Sequence, residues 1–251
     1  MSAKGRKSLQ MANAAKTAIV TGASQGIGAG LVEAFLKRGY NVVANSRNIT
    51  KANPFPGAGN VALVDGDIGD PLTAAKIVDT AVSRFGRIDV LINNAGVFIP
   101  KPFTEYTKED FNTLVSTTLA GFLYVSQLAA KQMLRQKSGS IINVSTTLVD
   151  QPIAGVAAAV QIMLKGALNA VTRALAIEYA KEGIRVNTIA LGVINTPMHK
   201  PETHDFLKGL HPVGRIGEIK EAVDAAMFLT DATFTTGEIL HVDGGAHAGK
   251  W

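Results

Sequence analysis

The sequence predicts one α/β domain built on a doubly wound parallel sheet. Three observations carry this. Short apolar runs alternate with longer helical patterns along the whole chain, the order that gives parallel strands with helices on both faces. Runs such as Asp89–Asn94 are apolar at successive positions, as strands buried on both faces are. The 251 residues are 47% hydrophobic and 18% charged, enough for one large core, and no linker-like stretch divides them.

The elements follow in order. Thr17–Thr21 is a β-branched first strand. GASQGIG comes next, then a helix through Leu31, Ala34, Phe35 and Leu36 that Gly39 ends. Asn41–Asn45 and Asn60–Gly66 read as the second and third strands. Asp70-Pro71 reads as an N-cap followed by proline at the first helical position, opening a helix to about Phe85. Asp89–Asn94 is the fourth strand, and a long helix is expected over Glu109–Lys137. Ser140–Ser145 is the fifth strand, with a second long helix over Ala157–Lys181. Ile184–Ala190, a polar segment, a helix near Glu218–Leu229 and a seventh strand over Glu238–Gly244 complete the chain.

Composition excludes several classes of function. There is no cysteine, so disulfides, thiolate catalysis and cysteine-bound metals are out. Uninterrupted apolar stretches such as Ile153–Val160 fall short of the ~18 residues of a membrane span, and the first ten residues lack the apolar core of a signal peptide. The expected location is therefore the cytoplasm, with no membrane partner. Net charge is +5, of which Lys4, Arg6 and Lys7 supply three, leaving +2 for the rest. That balance gives no support to a nucleic-acid partner. Residues 1–14 are expected to be a flexible basic tail or an expression remnant, and residues 15–251 the folded domain.

Gly22, Gly26 and Gly28 lie between the first strand and the first helix, spaced G-x-x-x-G-x-G. Glycines there let backbone approach a pyrophosphate, and the helix N-terminus supplies N–H groups and partial positive charge. The segment Thr21-Gly22-Ala23-Ser24-Gln25-Gly26-Ile27-Gly28 resembles the T-G-x-x-x-G-x-G pattern of the short-chain dehydrogenases/reductases. Asn93-Asn94-Ala95-Gly96, Arg185-Val186-Asn187 and Val242-Asp243-Gly244-Gly245 match further motifs of that family in the right order, and the likeness spans about residues 15–247. The resemblance implies a single Rossmann-like domain with a seven-stranded parallel sheet. It also implies a homodimer or homotetramer joined through the two long helices, where Ala157, Ala158, Ala159, Gly166, Ala167 and Ala170 would allow close approach. The implied cofactor residues are Gly22, Ser24, Gln25, Gly26, Ile27, Gly28, Asp67 and Ile68 near the adenine, Asn94, Ala95, Gly96, Lys165, Gly192, Ile194 and Thr196. The second strand ends Asn45-Ser46-Arg47 in place of an acid, so Ser46 and Arg47 point to a 2′-phosphate and hence to NADP(H).

The family exchanges a hydride between nicotinamide and a carbonyl or alcohol, with a tyrosine passing the proton. Lys165 fits the family's lysine, but the tyrosine position four residues earlier holds Gln161. The two share a helical face, yet an amide cannot donate a proton near neutral pH. The serine position, three residues after Asn143, holds Thr146, with Ser145 and Thr147 as register alternatives. The asparagine position falls on Thr118, and the usual Pro-Gly of the sixth-strand turn reads Leu191-Gly192. Lys165, Thr146, Gln161 and Thr118 are thus the catalytic candidates, and no metal site is expected. Two readings remain. One is an NADP(H)-dependent oxidoreductase acting on a small carbonyl or alcohol with an altered proton donor: water, the cofactor ribose or an acid such as Asp150. The other is a cofactor-binding protein without turnover. The segment 193–215, with Met198, His199, Phe206 and His211, should cover the substrate; His199 and His204 are read as loop histidines rather than ligands or bases.

Overall fold

Alternation along each strand sends successive residues to opposite faces of the sheet, and both faces here are apolar. In β1 (Thr17–Thr21), Ala18 and Val20 enter one core while Ile19 enters the other. The computed structural model describes residues 15–249, and the expected tail over 1–14 lies outside them. The remaining strands are β2 (Asn41–Ser46), β3 (Val61–Asp65), β4 (Val90–Asn93), β5 (Gly139–Thr146), β6 (Ile184–Leu191) and β7 (Ile239–Val242). All neighbouring pairs are parallel, in the order β3-β2-β1-β4-β5-β6-β7. The order reverses between β1 and β4, and the crevice beyond those strand ends is where such sheets bind ligands.

Helices α1 (Gly26–Lys37) and, late in the chain, Ile219–Asp231 cover one face through Leu31, Val32, Phe35, Ala226 and Met227. The other face packs against α3 (Pro71–Phe85), α4 (Lys108–Gln136) and α5 (Ala159–Tyr179), through residues such as Ile77, Val125, Met133 and Ala176. Between α1 and α3 lies the short α2 (Ile49–Ala52). Helix α6 (His204–Lys208) interrupts the polar segment, and Ile219–Asp231 is α7. The Asp70 cap forms as expected: its carboxylate accepts from the Leu72 N–H at 2.9 Å, with Pro71 at the helix start. Arg185 and Asn187 are fasteners. The Arg185 guanidinium donates to the carbonyls of Leu229 and Thr230 at 2.6 and 2.7 Å, and Asn187 donates to Thr235 and accepts from the Glu238 N–H. They tie β6 to the end of α7 and the start of β7.

Two expectations need correction. The helix expected over Glu109–Lys137 is not uniform. A capping box between Thr107 and Asp110 starts it, Ser116–Ala120 forms a π-helical turn, and regular helix resumes to Gln136. By length and composition this run would suffice to cross a membrane, but Leu114, Val125, Ala129 and Met133 are fully buried within the fold. The second long helix begins at Ala159, and Ala158 is only 2% exposed. Ala158 is packed into its own subunit and is not available to a partner.

Candidate active site

At the reversal between β1 and β4 the glycine loop is locked to the end of β4. The Thr21 hydroxyl accepts from the N–H groups of Asn94 and Ala95, both at 3.1 Å. The Asn94 amide donates to the Thr21 and Gly22 carbonyls at 2.9 and 3.1 Å. No side chain fits between them: a Cβ on Gly28 would lie 2.2 Å from the Gly22 carbonyl oxygen, and one on Gly22 2.8 Å from the Ala95 Cα. Gly22 and Gly26 also have φ of +65° and +57°, conformations that side chains resist. The first turn of α1 has no side-chain cap, which leaves its N–H groups for an anion. Ser24, Gly26 and Ile27 are partly exposed and Gln25 is exposed. Thr196, after β6, faces Gly26, 3.5 Å from where a Cβ would stand. These residues fit a dinucleotide.

At the ends of β2 and β3, Arg47 is exposed and has no hydrogen bond or ion pair among the described residues. Ser46 pairs in register with Asp65. That carboxylate is turned onto Thr50, which donates both its N–H and its hydroxyl and holds the acid below its usual range. Asp67 is exposed and accepts from the Gly69 N–H at 2.9 Å, while Ile68 is buried against Gly121.

The chemical side lies beyond β4 and β5, against α4 and α5. Gln161 and Lys165, one turn apart on α5, are 4% and 8% exposed. Lys165 Nζ donates to the Val144 carbonyl at 2.6 Å, and a Cβ on Gly96 would stand 3.8 Å from it. The ammonium therefore sits between the ends of β4 and β5. Burial alone pushes its pKa down to about 8, because desolvation disfavours the charged form. Gln161 Oε1 is buried without a partner among the described residues. The Thr146 hydroxyl oxygen accepts from the Leu148 N–H at 3.3 Å and is partly exposed. The register alternatives are buried and engaged elsewhere: Ser145 donates to the Lys165 carbonyl and Thr147 to Asp243. Thr118 is buried in the π-turn with its hydroxyl oxygen unpartnered among the described residues. It shares a cavity of about 10 Å³ with Thr21, Asn93, Thr117 and Lys165.

Beneath the site runs a polar ladder that the sequence reading did not find. The Asn93 amide donates to Ser126 and to Asn143, at 3.0 and 2.9 Å. Asn143 donates to Thr172, which also bonds Thr188. The available signal was the presence of Asn93, Asn143 and Thr188 within apolar strand runs.

The segment after β6 is more structured than expected. Gly192 is enclosed, since a Cβ there would lie 2.6 Å from His211 Nε2, and Ile194 is buried. His211 lines a second cavity, of about 80 Å³, with Val193, Ile194, Val213 and Asp243, and its ring is held in place. It is 4% exposed, accepts the Val193 N–H at Nε2 and bonds the Leu207 carbonyl through Nδ1, and burial lowers its pKa. His199 and His204 bond the carbonyls of Ile194 and His199, whereas Met198 and Phe206 are exposed. Asp150 is turned to His241 of β7 at 2.9 Å. His241 stacks on His247, and His247 bonds Asp243 at 2.8 Å. Burial opposes the charge on Asp243, but bonds from Thr147, His247 and backbone N–H groups hold its carboxyl below the usual range.

Comparison with known proteins agrees with this architecture. The family profile described as enoyl-(acyl carrier protein) reductase matches residues 22–247. An uncharacterized oxidoreductase of Methylorubrum extorquens is 35% identical over 245 residues, covering 92% of this chain and 97% of its own. ElxO, solved with NADP bound, superposes with a TM-score of 0.87 at 29% identity, over 94% of this chain and 100% of that one. The 3-ketoacyl-(acyl-carrier-protein) reductase of Brucella melitensis, complexed with NADH, gives 0.88 at 29% identity, over 93% and 99%. The chain belongs to the short-chain dehydrogenase/reductase family of oxidoreductases.

Proposed function

We propose that this protein is an NADP(H)-dependent oxidoreductase that interconverts a small carbonyl compound and its alcohol, using a proton donor other than tyrosine. The observation that carries the cofactor assignment is Arg47, an exposed cation without a partner among the described residues, beside Ser46 at the end of β2. Its planar fork suits a phosphate, and the Asp65 carboxylate nearby is occupied by Thr50. The glycine loop and the α1 N-terminus would hold the pyrophosphate, and Lys165 the nicotinamide ribose. The bound nicotinamide supplies or accepts the hydride. The protein orients the carbonyl, with the Thr146 hydroxyl to polarise its oxygen, and excludes water beneath the segment 193–215.

NADPH absorbance followed with a broad carbonyl panel, alongside a direct NADPH-binding titration, tests this reading. Binding with turnover supports it. Binding without turnover supports the second reading, a cofactor-binding sensor or silent subunit, which the non-ionisable Gln161 favours. Absence of binding removes both.

Self-association through α5 belongs to the same proposal. Met163, Ala167, Ala170, Ala174 and Ile177 are exposed on α5 at alternating spacings of four and three residues. That is the spacing of a helix-pairing seam.

A further inference from the structure

With an amide at position 161, some other group must give a proton to the substrate oxygen if the carbonyl is to be reduced. Lys165 is the ionisable group buried in the site. Its Nζ makes one hydrogen bond among the described residues, to the Val144 carbonyl, which leaves two of its three N–H bonds for other acceptors. That carbonyl lies near the end of β5, two residues before Thr146, and Nζ is also close to Gly96. The groups that face it are neutral: the Val144 carbonyl from β5, Asn93 and Gly96 at and beyond the end of β4, and Thr117 and Thr118 from the π-turn. Among the described residues no acid, histidine or second cation contributes to its ionisation. A buried lysine with a purely structural task is ordinarily paired with an acid.

A second observation gives the lysine a way to recover its proton. Asn93 Oδ1 and Thr118 Oγ1 are buried without partners among the described residues. Both residues and Lys165 line the same cavity of about 10 Å³, roughly the least volume that holds a water. Such a water would donate to either oxygen and, once Lys165 has given up a proton, to its neutral amine.

We propose that Lys165 is itself the proton donor to the substrate oxygen, re-protonated through a water held by Asn93 and Thr118. This rests on the oxidoreductase reading above. As the carbonyl carbon takes up hydride, the C=O π pair moves onto oxygen. An Nζ–H bond breaks and an O–H bond forms, leaving a neutral amine. The amine then takes a proton from the cavity water, which is replenished from solvent. One proton is consumed for each carbonyl reduced. An ammonium whose pKa lies near 8 suits this task, because a general acid works best when its pKa is close to the operating pH.

Two measurements test the proposal. In apo protein carrying ¹³C-labelled lysine, the εCH₂ resonance absent from Lys165→Met should titrate near pH 8. A midpoint at the ordinary lysine value overturns the proposal whether or not a substrate has been found. In single-turnover reduction with NADPH, the parent rate should be flat below pH 8 and fall about tenfold per unit above it. Lys165→Arg keeps a cation and its hydrogen bonds but holds its proton throughout. At saturating NADPH it should lose about 10²–10⁴-fold in transfer rate. Turnover in which Lys165→Arg matches the parent overturns the lysine donor and leaves the oxidoreductase reading intact. NADPH binding with no turnover of any carbonyl at any pH removes that reading, and this proposal with it.

Discussion

The two sides of the crevice are built differently. On the β1–β4 side polar atoms are used more than once: the Thr21 hydroxyl serves Asn94, Ala95 and the Ile92 carbonyl, and the Asn94 amide serves two carbonyls. Glycines there are enclosed so tightly that a single methyl collides with backbone. On the α4–α5 side, Gln161 Oε1, Thr118 Oγ1 and both amide atoms of Asn169 are buried without partners among the described residues. The first region is a mutually supporting network in which any change is felt by several groups. The second consists of single side chains on stable helices, where the exchange of one side chain for another would alter the site and spare the fold. Cofactor binding can therefore outlast the chemistry it serves.

That contrast is most directly sharpened by Gln161→Tyr. A phenol one turn from Lys165 should raise carbonyl reduction by about 10²-fold, the lower end of what a positioned acid adds, and more when combined with Thr146→Ser and Thr118→Asn. Stopped-flow NADPH oxidation reads the gain. Strong parental turnover that is lost in the tyrosine variant would show instead that the glutamine belongs to a different working site.

Lys165→Met should separate binding from stability. NADPH affinity should drop by roughly 1.5–3 kcal/mol, the worth of a charge-assisted hydrogen bond, as measured by calorimetry. Thermal stability at pH 7 should rise. The lysine pKa falls from 10.5 to about 8 on folding, so below pH 8 the fold carries the full cost of a buried charge, at most about 3 kcal/mol. Between pH 8 and 10.5 the unfolded chain holds more protons than the folded one, so parental stability climbs with pH. The advantage of the methionine variant should shrink over that range. A variant that melts lower at every pH would assign Lys165 a structural role.

On the other side of the crevice, Gly28→Ala should weaken NADPH binding by about 1–3 kcal/mol through overpacking against the Gly22 carbonyl. Unchanged affinity would mean that the loop yields more easily than its contacts suggest. The smallest effect is expected from Arg47→Ala. It should reduce the preference for NADPH over NADH by about tenfold, one exposed charge-assisted contact. Equal affinities for the two cofactors in the parent would remove arginine as a phosphate reader.

Much of this was legible in the chain because it is local. Strand and helix periods, the Asp70-Pro71 helix start and the glycine spacing each act within a few residues. Gln161 and Lys165 were legible for the same reason, since four residues make one helical turn. The ladder from Asn93 through Asn143 to Thr172 and Thr188 was not. Its members are 16 to 50 residues apart in sequence and meet only because the sheet places β4, β5 and β6 side by side. His211 does line a cavity, but nothing in the segment 193–215 reveals that its ring also holds the Val193 N–H. Helices α2 and α6 span four and five residues, too few to display a period.

The π-helical turn at Ser116–Ala120 has a consequence for the phase of α4. A helix that takes i→i+5 bonds for one turn accommodates one residue more than an α-helix does over the same stretch. Thr117 and Thr118 both reach the cavity beside Lys165 from this widened turn. A regular α-helix wound through the same residues would instead turn the two flanking segments by about 100° relative to one another. Leu114 on one segment and Val125 and Met133 on the other are all fully buried, so both segments are held by the core. The widened turn sets the phase between them, in a stretch with neither glycine nor proline to mark it.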